Sequence, residues 1–70
     1  MNIIEGIQAK CNYIRETIIP EYGKLGPVGA FGKAALLTDI KAGEAAIASG
    51  DVILMIQVYK SLEETCRTAL

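Results

Sequence analysis

Apolar side chains recur through the first part of the chain at Ile3, Ile7, Cys11, Ile14 and Ile18. Spacings of three and four place them in one stripe of an α-helix. Asn2 stands at the N-cap position, and Glu5 three residues on supplies the returning carboxylate of a capping box. Lys10, Asn12, Arg15 and Glu16 fall largely on the other side. The pattern then meets Pro20, whose ring excludes a helical hydrogen bond and disfavours a helical Ile19, so a kink or a stop is predicted there. Tyr22 is expected on a last loose turn before Gly23.

A second helix is predicted from Lys33 to Ala48, with Leu36, Ile40, Gly43 and Ile47 on one stripe and Leu37 beside it. Its many alanines, with Gly43, permit a neighbouring helix to approach closely. Ser49-Gly50 ends this helix, Gly50 being suited to the left-handed C′ position, and Asp51 is placed to cap the next. A tight antiparallel helical hairpin follows.

The third helix is expected from Val52 to about Arg67. Val52, Met55, Ile56, Tyr59, Leu62 and Cys66 form the stripe that should pack on the other two helices. Ile53, Leu54 and Val58 lie on the remaining faces of the same turns. A helix that is apolar all round must be covered all round. Two partner helices in so short a chain cannot do this, so Ile53, Leu54 and Val58 are expected to meet another subunit. Lys60, Glu63, Glu64 and Arg67 restore a solvated face. The fold class is therefore all-α, a three-helix protomer assembled into a homo-oligomer, with residues 1–70 as a single domain.

Composition narrows the class further. A chain of 70 residues has a marginal core by itself, and with 51% hydrophobic but only 6% aromatic residues that core is built from Ile, Leu, Val and Ala. The net charge of −1, with both signs interspersed, gives no basic field for nucleic acid, so DNA is not an expected partner. The longest apolar run, Val52 to Ile56, is too short to span a bilayer, and the N-terminus lacks a secretory signal pattern. A soluble cytoplasmic protein is expected, without a membrane partner. Cys11 and Cys66 lack CxxC spacing and read as small buried hydrophobes; a disulfide between them is allowed but not required.

The remaining chemistry gathers in Gly26-Pro27-Val28-Gly29-Ala30-Phe31-Gly32-Lys33, where glycines fall at every third position from Gly23 to Gly32. The segment is not a P-loop: Gly26 is one residue too far from Gly32-Lys33, and Ala34 replaces the hydroxyl that binds magnesium. It is not a dinucleotide fingerprint either, because the spacing is G-x-x-G-x-x-G and no strand precedes it. A glycine-rich loop opening a helix near Phe31 would still offer unpaired N–H groups to an anion. Gly29, Ala30, Gly32 and Lys33, with the charges of Lys24 and Arg15 and the ring of Tyr22 or Phe31, are the candidate ligand-binding set. They suit a phosphate-bearing small ligand of nucleotide type. The bland alternative is a loop that only turns the chain, with Phe31 in the core and both lysines solvated.

No catalytic constellation is present. Histidine is absent, so Cys-His chemistry is excluded, and neither cysteine has a base beside it in sequence. The pairs Glu63 and Glu64, and Asp39 and Glu44, read as solvated helix faces, and no metal site or cofactor is expected. A helix-turn-helix around Gly50 fails because its second helix opens with Val52-Ile53-Leu54-Met55, which cannot read base edges. In scale and style the chain is like many small phage or mobile-element proteins, among them oligomers that sequester signalling nucleotides and inhibitors that cover an enzyme's surface. That likeness is of kind and assigns no residues. Two readings result: a non-enzymatic oligomeric binder of a nucleotide-like ligand, or a protein-interaction module, inhibitor or adaptor working through its hydrophobic third helix.

Overall fold

The computed structural model describes residues 2–69. Helix α1 spans Ile3–Tyr13, and the Asn2 Oδ1 accepts the Glu5 N–H at 2.9 Å. The Glu5 carboxylate answers with a 3.4 Å contact to the Asn2 side-chain amide, not to its backbone N–H, so the box closes through side chains. A π turn at Ile14–Ile18 follows directly, then α2 at Ile19–Gly23.

Pro20 therefore does not end the helix. Its ring crowds the carbonyl four residues back and it has no N–H to donate. The π turn opens the backbone at that point, with the Ile19 N–H reaching five residues back to the Ile14 carbonyl. Ile14 and Ile18, at either end of this turn, are fully buried, so core packing holds the irregular segment in place.

The chain turns at Lys24 and Leu25, passes Gly26 at φ +64°, and winds through a 3-10 turn at Gly26–Gly29 into α3, Ala30–Ser49. Helix α3 thus begins three residues before the expected Lys33, because the proline and glycines coil instead of looping out. Gly50 takes the left-handed conformation at φ +70°, and the Asp51 carboxylate caps α4, Val52–Thr68, by accepting the N–H groups of Ile53 and Leu54 at 3.0 and 3.2 Å.

Close contacts define how the helices run. The Tyr22 ring lies on Gly32 and Cys11 lies beside Gly43, so α3 runs back along α1 and α2. Leu62 meets Gly43, and the Thr65 hydroxyl donates to Asp39 at 3.0 Å, so α4 runs back along α3. Gly6 backs the Tyr59 ring, and further along both helices the Cys66 thiol lies 4.0 Å from the Lys10 carbonyl, so α4 runs in the same direction as α1. The result is a rod of 37 × 19 × 16 Å.

The buried core comprises Ile7, Cys11, Ile14, Ile18, Leu36, Ile40, Ala46, Met55 and Leu62. Ala46, not Ile47, is the fully buried residue at the end of the α3 stripe. Val58, expected to meet another subunit, is half-buried and packs on this core. Val52 and Ile56 depart from expectation in the opposite sense, at 59% and 43% exposed. Val58 lies on the flank of α4 from which Thr65 reaches Asp39 of α3, and register explains the exposure of Val52 and Ile56. With Gly6 level with Tyr59, Ile3 is level with Ile56, and the first turn of α4 overhangs the start of α1. Among the described residues no helix is long and apolar enough to cross a membrane.

Candidate functional site

The glycine segment is a packing device before it is anything else. A Cβ on Gly29 would overlap the Tyr22 carbonyl, and one on Gly32 would overlap the Tyr22 ring. Glycine at both positions lets α2 lie directly on the first turn of α3. The Tyr22 hydroxyl donates to the Ala69 carbonyl at 3.1 Å, which ties the same corner to the end of α4. Tyr22 is half-buried, with its ring committed to Gly32.

The backbone of the segment is also committed in part. Gly29 enters α3 with helical angles, φ −81° and ψ −7°, and the Ala30 N–H donates to the Pro27 carbonyl. The 3-10 turn thus caps the helix with its own carbonyl, where an open loop would leave that donor free. Among the three basic candidates, Lys24 pairs with Glu21 at 3.0 Å. Arg15 donates to Asn12 at 3.0 Å and lies 3.9 Å from Glu44, on a groove of about 430 Å³ whose walls include Gln8, Cys11 and Ile47. Glu44 is about 16 Å along α3 from Lys33, so Arg15 serves a different part of the surface. Lys33 makes no ion pair among the described residues and lines a shallow groove of about 500 Å³ with Gly23, Gly26, Ala30, Ala34 and Leu37. Phe31 enters neither the core nor this groove and is 89% exposed.

The apolar surface is the other feature that stands out. Ile53 is 70% exposed, and Val52 and Ile56 lie within one turn of it, so the three share the side of α4 turned away from α3. Leu54 is on the opposite flank: Thr65, three turns further along the same side, reaches Asp39 of α3. At the other end of the rod Val28 and Phe31 project from the 3-10 turn and the first turn of α3. Sequence pattern placed Ile53 and Leu54 off the packing stripe and left Phe31 open between core and ligand face; it assigned Val52 and Ile56 to the core and passed over Val28. No periodicity in the sequence carries the overhang of α4 beyond α1.

Neither cysteine is disulfide-bonded. Burial pushes the Cys11 thiol above its usual range, reinforced by the charge of Glu44 and opposed by Arg15. Burial likewise raises the Cys66 thiol, with Lys10 opposing. Both are held as neutral thiols near pH 7, the unreactive form. Comparison with known proteins finds no matching family model, curated protein or solved structure.

Proposed function

We propose that this chain is a non-catalytic protein-interaction module that docks on another polypeptide through the overhanging first turns of α4. The exposure of Val52, Ile53 and Ile56 on one side of that helix carries the reading. Covering a large aliphatic side chain fully is worth about 1.5–3 kcal/mol, so a three-residue apolar face of this kind can anchor a contact. Lys60 and Glu63, a turn further on, supply a polar rim. The neutral thiols, of Cys11 in the core and Cys66 partly buried beside it, and the absence of histidine support a role in binding.

The test is site-specific photocrosslinking in cells. A benzoylphenylalanine at Ile56 should give one discrete adduct, which Ile53→Asp removes, while the same probe at Glu64 gives none. Absence of any adduct at Ile56, or an adduct indifferent to Ile53→Asp, would sink the reading.

A second reading keeps a phosphate-bearing, nucleotide-like ligand at the groove of Lys33. The single observation favouring it is that Lys33 makes no ion pair among the described residues and lines a groove of about 500 Å³ with Gly23 and Gly26. Calorimetric titration with nucleoside mono-, di- and triphosphates tests it: binding that Lys33→Glu abolishes supports this site, and heats indistinguishable from dilution remove it.

A further inference from the structure

The outward side of α3 carries a second pattern, independent of the face on α4. Phe31, Ala35, Thr38, Ala42, Ala45 and Ser49 follow one another at spacings of four and three, and every one of them is exposed and uncharged. This is the spacing of a coiled-coil seam, sustained over the length of the helix. The seam is graded in size. Its only large side chain, Phe31, is at the beginning, and everything after it is alanine, serine or threonine. Val28, 83% exposed, extends the bulky end by one more step of three.

We infer that this face is an isologous interface in which α3 packs antiparallel on α3 of a second copy. Size complementarity selects both occupant and direction. In a parallel pair the two Phe31 rings would collide at one end and hold the small residues apart. In an antiparallel pair each Phe31 falls in the layer of Ser49 of the other chain, Ala35 in that of Ala45, and Thr38 in that of Ala42. The same pairing brings Val28 of each chain to the hairpin turn of the other, where Leu54 is exposed on the α3 side of α4. Each apolar end of the rod therefore meets the opposite end of its mate, and a two-fold operation closes the assembly.

The area is sufficient. A helix of 20 residues is about 30 Å long and about 10 Å across, and a fully covered phenylalanine buries about 150–250 Å². A seam along the whole helix with two such anchors comes to the order of 1,000 Å² in total, the lower bound of specific interfaces. A reversible dimer is the expected outcome.

Sedimentation velocity over a concentration series, with disulfide trapping, tests this. Wild type should show a monomer–dimer equilibrium, and Phe31→Asp and Ala42→Glu should each weaken it at least ten-fold. Both positions are exposed, and circular dichroism checks that the helices remain. Ile53→Asp should leave the dimer intact, which separates this interface from the docking face on α4. Chains carrying Ala35→Cys and chains carrying Ala45→Cys should cross-link when mixed and not alone, since like positions lie about 15 Å apart along the axis. A monomer at every concentration would overturn the inference. So would self-linking of Ala35→Cys alone, which only a parallel seam permits, or a dimer unaffected by Ala42→Glu.

Discussion

Gly43 sits where the three long helices come closest, and replacing it tests whether that junction is as tight as its contacts indicate. An alanine Cβ there would lie 2.9 Å from the Cys11 Sγ, 3.2 Å from the Ile7 Cγ2 and 3.3 Å from the Leu62 Cδ1. Two effects oppose each other. Removing a glycine from a helix interior is worth about 1 kcal/mol in favour of the folded state, whereas forcing a methyl into a filled core costs about 1–3 kcal/mol. The squeeze comes from three directions at once. The hardest contact is with Cys11, which is buried and has no room to withdraw, so the steric term should win by about 1 kcal/mol, which lowers Tm by about 4–8 °C in a domain of this size.

The same geometry makes a sharper claim. Cys11→Ala deletes the nearest atom, so in that background the helix-propensity gain should prevail, and Gly43→Ala should become neutral or stabilising. The double-mutant cycle should then give a coupling of about 1–2 kcal/mol. Urea unfolding followed by far-UV circular dichroism reads all four proteins, and unchanged m-values check that the comparison holds. An equal cost of Gly43→Ala in both backgrounds would refute the reasoning, as would stabilisation in the wild-type background.

Asp51→Ala removes a cap that accepts two N–H groups; it should lower unfolding free energy by about 1 kcal/mol and speed hydrogen exchange at Ile53 and Leu54. Tyr22→Phe keeps the ring on Gly32 and deletes the bond to Ala69, so a loss of about 0.5–1.5 kcal/mol is expected in urea unfolding, with faster exchange in the last turn of α4. The raised Cys11 and Cys66 thiols hold their protons more tightly in the folded chain than in the unfolded one. Their contribution is complete below the ordinary thiol value of 9.0 and is lost as pH rises from there through the folded value. Urea midpoints measured on either side of that value should fall with rising pH, and less steeply in Cys11→Ala; equal slopes would refute this assignment.

Local chemistry reaches as far as the next few residues, and within that range the sequence was sufficient. Asn2 and Asp51 as caps, Gly50 as the left-handed stop and the stripe from Ile7 to Ile18 depend only on neighbours along the chain, so they could be read from residue type and spacing. The all-α class followed from the same periodicities. Pro20 shows where such reading stops short. Its ring allows either a kink or a stop, and burial of Ile14 and Ile18 makes continuing through a π turn the better arrangement. The glycine segment shows the failure in another form: the need for Gly29 and Gly32 is set by Tyr22, which reaches them only once α2 folds back on α3. Exposure along α4 was decided furthest from the sequence, because Val58 is half-buried on the side that α3 packs against, and Val52 is bare because α1 begins beyond it. Apolar spacing along one helix cannot encode the axial register between two, since that register is settled by how Gly6 meets Tyr59 and Gly43 meets Leu62 across the core.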